Sequence, residues 1–547
     1  MPSITFSFDD LCLLVGKRLS EAELTHLLDY AKAELDSKFG SEITVKYNDT
    51  NQPYLWCVEG LARLLKGVLG KQKGLAKITL KKSAAKIVVD KRVRKLRPYI
   101  AGFIAKGVKL DDYLLKQLVQ MQEKLSSNFG RKRAKISIGT YPLNALEFPV
   151  HYKLADPLEK FIPLSFHHSV SLREVLDKHE KGKEFGHLLK AESGYPVLVD
   201  AKKDILSLIP IINSEQSGRL VVGDDSFFFE VTGTDERAVN LVANSAAFAC
   251  FERGFELHSL VVEYPERKIV TPTLTTTRMK FKEVEVEKLL GIKLKAGQLK
   301  SLLEGLRYGY ANGTAVIPSY RHDVMHAVDI VEDAAIMYGY GNFEAAPLTS
   351  FTVGNIKPMQ RMIDTFRELW VGAGYQEVLS PVLINKELLY GKMHVPDKGT
   401  VELENFVSMT YSCVRSWVLP ILLEILSKNK HVEYPQKIFE QGVVTLRAPD
   451  LHDEEHIAGV SAHSLATFTE GKQVVQSILQ SVGALVEFEE FELGCFIPGR
   501  AANVLVNGTH IGFLGEIHPQ VLDEFGLSTP VVATELNLSK LHEIIKK

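Results

Sequence analysis

Four carboxylates crowd the stretch from Asp323 to Asp333: Asp323, Asp329, Glu332 and Asp333. Around them Val324, Ala327, Val331, Ala334, Ala335 and Tyr338 recur at three- and four-residue steps, the period of a helix with one face on a core. On that helix Asp329, Glu332 and Asp333 share the opposite face. Asp323 reads as the residue that opens it, a short acceptor for the unpaired N–H groups of the first turn. Like charges so close repel one another unless each is solvated or a cation sits among them. The pattern is therefore either a solvated acidic face or a seat for a hard divalent ion held by oxygen ligands.

Other stretches could also do chemistry. Ile211 to Glu215 and Val231 to Asp235 are polar turns at strand ends, which either cap their strands or converge on a pocket. From Lys71 to Arg97, on what reads as two short strands and a linker, there are eleven Lys or Arg against Asp90 alone, and Arg131-Lys-Arg-x-Lys135 follows. Such tracts track phosphates or serve as solvated linkers. His452-Asp-Glu-Glu455-His456 fits an inverted zinc-peptidase spacing, which needs both histidines on one helical face. With Pro449 upstream and Ile457 to Val460 strand-like downstream, it reads as a surface loop.

The elements that must carry these residues are legible in outline. Ser20 and Glu23 form a capping box, and Leu24, Leu27, Leu28, Ala31 and Leu35 continue it as an amphipathic helix. After the dense turn Asn48 to Pro53, Val58, Leu61, Leu65 and Val68 mark a second helix. Leu110, Leu114, Leu118, Met121 and Leu125 mark a third, ended by Gly130, with a strand from Lys135 to Gly139 behind it. Tyr264-Pro265 through Thr271-Pro272 reads as an extended boundary. Asn312-Gly313 is a turn and Asn507-Gly508 a hairpin. Between those two, a helix from Lys357 ends at Gly374 and leads into a strand from Tyr375 to Ser380-Pro381.

At 547 residues the chain exceeds one core and should divide into three to five domains of ~100–200 residues. With 45% hydrophobic and 24% charged residues, each can bury an ordinary core. The net charge of −2 means that a nucleic acid must be met by local basic patches. Cys12, Cys57, Cys250, Cys413 and Cys495 are far apart with no C-x-x-C, against both a disulfide framework and a zinc site. The acidic start MPSITFSFDD and the lack of any run of ~18 apolar residues lead us to expect a soluble cytoplasmic protein with no membrane contact.

The string Arg321-x-Asp323, Met325-His326, Asp329, Glu332-Asp333, Tyr338-Gly339-Tyr340 resembles the B5 motif of the phenylalanyl-tRNA synthetase beta subunit, archaeal and eukaryotic type. Asp49-Thr-Asn51-Gln-Pro53, Val58-Glu-Gly-Leu-Ala-Arg63, Arg415-Ser-Trp-Val-Leu-Pro420 and Pro435-Gln-Lys-Ile-Phe-Glu440 extend the resemblance over nearly the whole chain. It implies an α+β multidomain fold in four parts. Residues 1–90 would form a B1-like domain, 91–262 a B3/B4-like editing domain and 263–347 a winged-helix-like B5 domain. Residues 348–547 would form a class II synthetase-like antiparallel sheet module without active-site arginines. It also implies that Asp323, Asp329, Glu332 and Asp333 bind Mg2+ where this chain meets an alpha subunit; Asp333 is the family's shorter variant at its position.

By the same resemblance the chain joins two alpha and two beta subunits in a heterotetramer that attaches phenylalanine to tRNA(Phe). ATP and phenylalanine would bind at the alpha subunit, and this chain would supply architecture, tRNA contacts and hydrolytic editing. Editing has a physical motive, since an apolar pocket rejects an added hydroxyl only ~10²-fold and tyrosine is sometimes attached. The implied editing pocket is Leu198, Ser207, Asn213, Glu230 and Thr232, with Glu230 where the family commonly has Asp. No Ser-His-Asp set or G-x-S-x-G appears, so water is the expected attacker. Phe406 stands where the family usually has proline. Glu440 lacks the arginine two residues before it, and no glycine-rich motif with a second arginine follows, so the last module should be catalytically silent. A stand-alone deacylase of mischarged tRNA and a non-enzymatic scaffold are the rival readings.

Overall fold

Two units make up the computed structural model, Met1–Ala346 and Pro347–Lys547. It describes residues 2–189, 194–295, 297–397, 399–447 and 449–545.

The first unit begins with an antiparallel sheet in the order Ser3–Ser7, Glu42–Tyr47, Ala33–Phe39. Ser20 and Glu23 close the expected capping box, but the helix they start is only Glu21–Leu28. Lys32, at φ 51°, turns the chain into the strand Ala33–Phe39, so Leu35, whose spacing continues the helical period, belongs to the strand. The helix Val58–Val68 packs on the helices Phe8–Val15 and Glu236–Glu252, and its Arg63 is buried with the guanidinium 4.4 Å from the Tyr320 ring centroid.

Two larger sheets build the middle. One has five strands, Leu80–Lys81, Glu256–His258, Tyr99–Lys106, Ser226–Gly233 and Ile136–Pro142. The other has seven: Ile212–Asn213, Ile205–Leu208, Tyr195–Val199, Val150–Ala155, Lys86–Val89, Leu260–Glu263 and Lys268–Thr271. One core joins them, with Ile100, Ile104, Tyr141 and Phe228 from the five-stranded sheet against Ile87, Tyr152, Leu198 and Leu206 from the other. On the far side of the five-stranded sheet lies the helix Glu236–Glu252. That double cover explains why Ser226–Gly233 is buried along nearly all its length. Alternation divides its side chains: Phe227, Phe229 and Val231 join the core that holds the helix, while Phe228, Glu230 and Thr232 point the other way.

These sheets cross the divisions read from the sequence. Strands at 80–81 and 86–89, inside the basic tract, add to both sheets, and the division after 262 cuts the strand Leu260–Glu263. Tyr264 to Thr271 is a hairpin rather than an extended boundary, with Lys268–Thr271 paired on Leu260–Glu263. One core runs from Ile4 to Ala334, so the N-terminal sheet, the middle helix and the carboxylate helix share a single interior.

The unit ends with an antiparallel sheet of Thr277–Lys280, Thr314–Ile317 and Gly309–Ala311, together with the helices Glu283–Leu290, Gln298–Gly305 and Ala327–Tyr338. Asn312 and Gly313 both have positive φ, as a two-residue hairpin turn requires.

The second unit is a seven-stranded sheet in the order Gln376–Glu377, Gln436–Leu446, His452–Ala462, Val531–Asn537, Thr509–Ile517, Phe496–Val506, Val486–Glu490. Only the first pair is parallel. The Asn507-Gly508 hairpin is formed, again with positive φ at both residues. Pro358–Gly372 is helical, and its Trp370 stacks on Phe439 at 5.8 Å. Among the described residues no helix is long and apolar enough to cross a membrane.

Candidate functional site

The expected pocket residues lie where the two middle sheets face each other. Leu198 and Ser207 are paired across neighbouring strands, as are Ser207 and Asn213, so the three stand in a row on the seven-stranded sheet. Glu230 and Thr232 come from the opposing sheet, paired with Gly139 and Ser137. Three of the five meet at one point, the hydroxyl of Tyr141. It lies 2.8 Å from Ser207 Oγ, 3.3 Å from Glu230 Oε1 and 3.5 Å from Asn213 Oδ1. Asn213 is fixed by its own amide, which donates to the carbonyls of Thr140 and Gly218. Leu198 lines the same core without a polar role.

Thr232 belongs to a separate network. Its hydroxyl pairs with Ser137 Oγ at 2.9 Å and accepts from Arg97 Nε at 3.2 Å. Arg97 is buried and also donates to the carbonyls of Thr232, Arg133 and Ala134.

Glu230 is 2% exposed, and its Oε2 has no hydrogen-bond partner. Burial pushes its pKa up to about 8, against the pull of Arg97 and of the Tyr141 hydrogen bond. At neutral pH most of it is therefore the neutral acid, able to donate one hydrogen bond as well as accept. Burial likewise drives the Tyr141 phenol well above its ordinary value, which keeps it an O–H donor. Gly139 makes the close fit possible, because a Cβ there would lie 2.5 Å from both Glu230 Oε1 and the Tyr141 oxygen.

Sequence reasoning passed over Tyr141 and Arg97. Strand alternation could have found the first, since Gly139 and Tyr141 are two apart on one strand. Arg97, at the end of the basic tract, gives no such signal.

The carboxylates at 323–333 do not gather into one set. The helix begins at Ala327, four residues later than expected, and its cap is His326. His326 Nδ1 accepts from the Val328 amide while Asp329 accepts from the amides of Met325 and His326, both at 2.7 Å. Asp323 cannot open the helix because Arg321 holds it, with Nε on Oδ1 at 3.1 Å and Nη2 on Oδ2. The same guanidinium reaches Asp333 at 2.6 Å, and the Tyr308 hydroxyl donates to that carboxylate too. Asp333 is thus buried rather than on an acidic face.

Burial pushes both carboxyls up. Arg321 reverses this for Asp323, which falls below its ordinary value, while the more deeply buried Asp333 stays above. Glu332 alone faces outward, bonded to Lys32 at 2.6 Å; Lys32 also pairs with Asp49. Among the described residues no group of three or more His, Cys, Asp or Glu is arranged to hold a metal ion. As arranged, the four expected ligands do not fit one, because their charges are already met by Arg321, Lys32 and backbone amides.

In the second unit Glu440 is buried and closed on Arg415 at 2.6 Å and Ser380 Oγ at 2.6 Å. His452 to His456 is no surface loop. It begins the strand His452–Ala462, paired with Gln436–Leu446 along its whole length and with Val531–Asn537 from His456 on. Strand alternation puts His452, Glu454 and His456 on one face and Glu455 on the other, where Gln441 holds it. His456 sits between Glu535 at 2.7 Å and Glu454 at 3.4 Å. Burial alone would lower its pKa, but the two carboxylates outweigh burial and raise it to about 9.

Residues 279–340 match the model of the tRNA synthetase B5 domain, and residues 344–538 match that of the phenylalanyl tRNA synthetase beta chain CLM domain. Both place the chain among components of aminoacyl-tRNA synthetases. The phenylalanine–tRNA ligase beta subunit of Pyrococcus horikoshii is 40% identical over 99% of this chain and 100% of its own length. The same subunit of Pyrococcus abyssi is 41% identical at the same coverage, and that of Archaeoglobus fulgidus 35% identical over 98% of each. A crystal structure of an N-terminal fragment of the Pyrococcus horikoshii beta subunit, 39% identical, superposes with a TM-score of 0.60 over 62% of this chain and all of the fragment. The chain belongs to the phenylalanine–tRNA ligase beta-subunit family. Membership over the full length favours neither a stand-alone deacylase nor a non-enzymatic scaffold.

Proposed function

We propose that this chain works in the cytoplasm as the beta partner of an alpha subunit, two of each forming the enzyme that attaches phenylalanine to tRNA(Phe). The alpha subunit activates phenylalanine with ATP, and Mg2+ enters as the counter-ion of the ATP phosphates there. The beta chain contributes the assembly surface, tRNA contacts and hydrolysis of tyrosyl-tRNA(Phe). In this reading residues 1–90, 91–262, 263–347 and 348–547 act as the B1-like, B3/B4-like editing, winged-helix-like B5 and class II-like parts. The last is silent in adenylation, because its one candidate carboxylate, Glu440, is closed on Arg415 and no arginine stands two residues before it.

One observation carries the editing role. Ser207, Asn213 and Glu230 converge, from two different sheets, on a single phenol hydroxyl. Side chains that satisfy the Tyr141 phenol have the geometry to select tyrosine over phenylalanine, which brings no hydroxyl and leaves buried polar groups unpaired. Ser207 Oγ is taken up accepting from the Tyr141 phenol, and water attacks the ester. The test is Asn213→Ala in the complex with the alpha subunit. It should slow hydrolysis of tyrosyl-tRNA(Phe) and spare phenylalanine charging. Equal loss of both activities would refute a separate editing pocket.

A further inference from the structure

The pocket that recognises a tyrosine hydroxyl is already full. Tyr141, Ser207, Glu230, Thr232 and Leu198 are each at most 2% exposed, and the space between the sheets is closed by the Tyr141 ring, which stacks on Phe228 at 5.6 Å. Resting on the editing role proposed above, we infer that Tyr141 is an intrachain stand-in for the tyrosyl side chain, holding the hydroxyl-recognition point until the ester-linked tyrosine of a mischarged tRNA displaces it. The 3′ end of such a tRNA exchanges one phenol for another. Ser207, Asn213 and Glu230 then keep their hydrogen bonds throughout, and Glu230 Oε2, without a partner in the filled pocket, is an atom on which an entering group can add a further hydrogen bond.

The energetics of exchange fix the sign of the effect. Because Tyr141 must leave whichever side chain enters, it weakens binding of tyrosyl and phenylalanyl ends by the same factor. It therefore does not create the preference for tyrosine, which belongs to Ser207, Asn213 and Glu230. What it sets is the threshold. A phenylalanyl end expels the phenol and leaves the buried Ser207 and Glu230 and the half-buried Asn213 without it, so correctly charged tRNA stays below useful occupancy. Neutral Glu230 and the un-ionised phenol keep the plug seated at physiological pH, since neither brings a charge that would open the site to water.

The experiment uses the complex with the alpha subunit and two variants, Tyr141→Phe and Tyr141→Ala. The first keeps the ring and loses only the hydroxyl, so it guards against loss of folding. Hydrolysis of tyrosyl-tRNA(Phe) and phenylalanyl-tRNA(Phe) is measured as kcat/KM. We expect both to rise together by about tenfold in Tyr141→Phe, the equilibrium weight of one net hydrogen bond, with their ratio unchanged. Tyr141→Ala should rise further, and millimolar phenol should refill its cavity and suppress hydrolysis, where benzene should do so more weakly.

Slower hydrolysis of tyrosyl-tRNA alone in Tyr141→Phe would overturn the inference, because the hydroxyl would then read the substrate directly. Unchanged rates in both variants, or phenol acting no better than benzene, would also overturn it. If the unaltered complex and both variants are inactive, the editing reading itself fails and takes this inference with it. An inactive parent with an active Tyr141→Phe would support the plug as the cause of the silence.

Discussion

Arg321 is the residue whose loss should be most costly in the first unit. Its side chain is 3% exposed, and the carboxylates it pairs with, Asp323 and Asp333, are 5% and 6% exposed. Arg321→Met would leave both in the interior with only the Gln52 amide on Asp323 and the Tyr308 hydroxyl on Asp333. Removing one partner of a buried ion pair costs about 3–5 kcal/mol, because the stranded charge keeps its desolvation penalty. The damage should be local to the helix Ala327–Tyr338 and the strands beside it. Amide hydrogen exchange of that helix is the assay, and about 3 kcal/mol corresponds to at least ~10²-fold faster exchange. Adding Asp323→Asn and Asp333→Asn to the variant should recover most of the loss, since neutral amides need no counter-ion. Treating the unaltered chain with EDTA should leave protection of the helix as it was, because the positive charge comes from Arg321. Protection lost on chelation, or an Arg321→Met chain within about 0.5 kcal/mol of the parent, would refute the reasoning.

Glu230 has a folded pKa of about 8 against an ordinary 4.5. Stability from that carboxyl is fully present below pH 4.5 and is lost as pH rises through 8. Exchange protection of the strand Ser226–Gly233 should fall over that window, and Glu230→Gln should flatten the dependence. His456, raised from 6.5 to about 9, gives a contribution that is complete below pH 6.5 and disappears as pH rises through 9. An NMR titration of its ring should find the midpoint near 9, and Glu454→Gln should lower it. Asp329→Ala removes an acceptor for two amides at the helix start and should cost about 1 kcal/mol in denaturant unfolding. Glu332→Ala, on the exposed side, should leave folding intact and weaken co-purification with the alpha subunit; equal behaviour of the two variants would be evidence against this division of roles.

What the sequence showed plainly was local. The Ser20–Glu23 capping box and the hairpins at Asn312-Gly313 and Asn507-Gly508 depend on residues within a few positions of each other, and all three formed. Errors arose where a partner or a turn overruled the simplest local rule. Asp323 is a good helix opener by type, but Arg321 claims it, and His326 takes the cap instead. Leu35 keeps the helical period by coincidence after Lys32 has turned the chain. His452 to His456 read as a loop because Pro449 precedes it and the strand-like run starts only at Ile457, yet Glu535, nearly eighty residues on, pairs with His456 within a sheet. The basic tract holds two short strands as expected, but nothing in Lys86 to Val89 says that Val150–Ala155 and Leu260–Glu263 will flank it. The pocket residues came from resemblance, and their convergence on one hydroxyl came from three dimensions.

A common principle links these departures. Wherever the sequence sets out carboxylates that look ready for a ligand, the fold has provided a cation or amide of its own. Arg321 meets Asp323 and Asp333, Arg415 meets Glu440, and His456 lies between Glu454 and Glu535. Buried charges closed in this way hold the architecture and have little left to offer a substrate. Glu230 departs from the pattern: Arg97 is near enough to lower its pKa but bonds to Thr232 and Ser137 instead, and burial wins. Among the described residues its Oε2 is the only carboxylate oxygen that is buried without a hydrogen-bond partner. A carboxyl left neutral and incompletely bonded costs stability that the other clusters do not give up, and such a cost persists where the unsatisfied atom has work to do. Among the described residues, the one buried carboxylate oxygen left unmet therefore stands at the point where Tyr141 now sits.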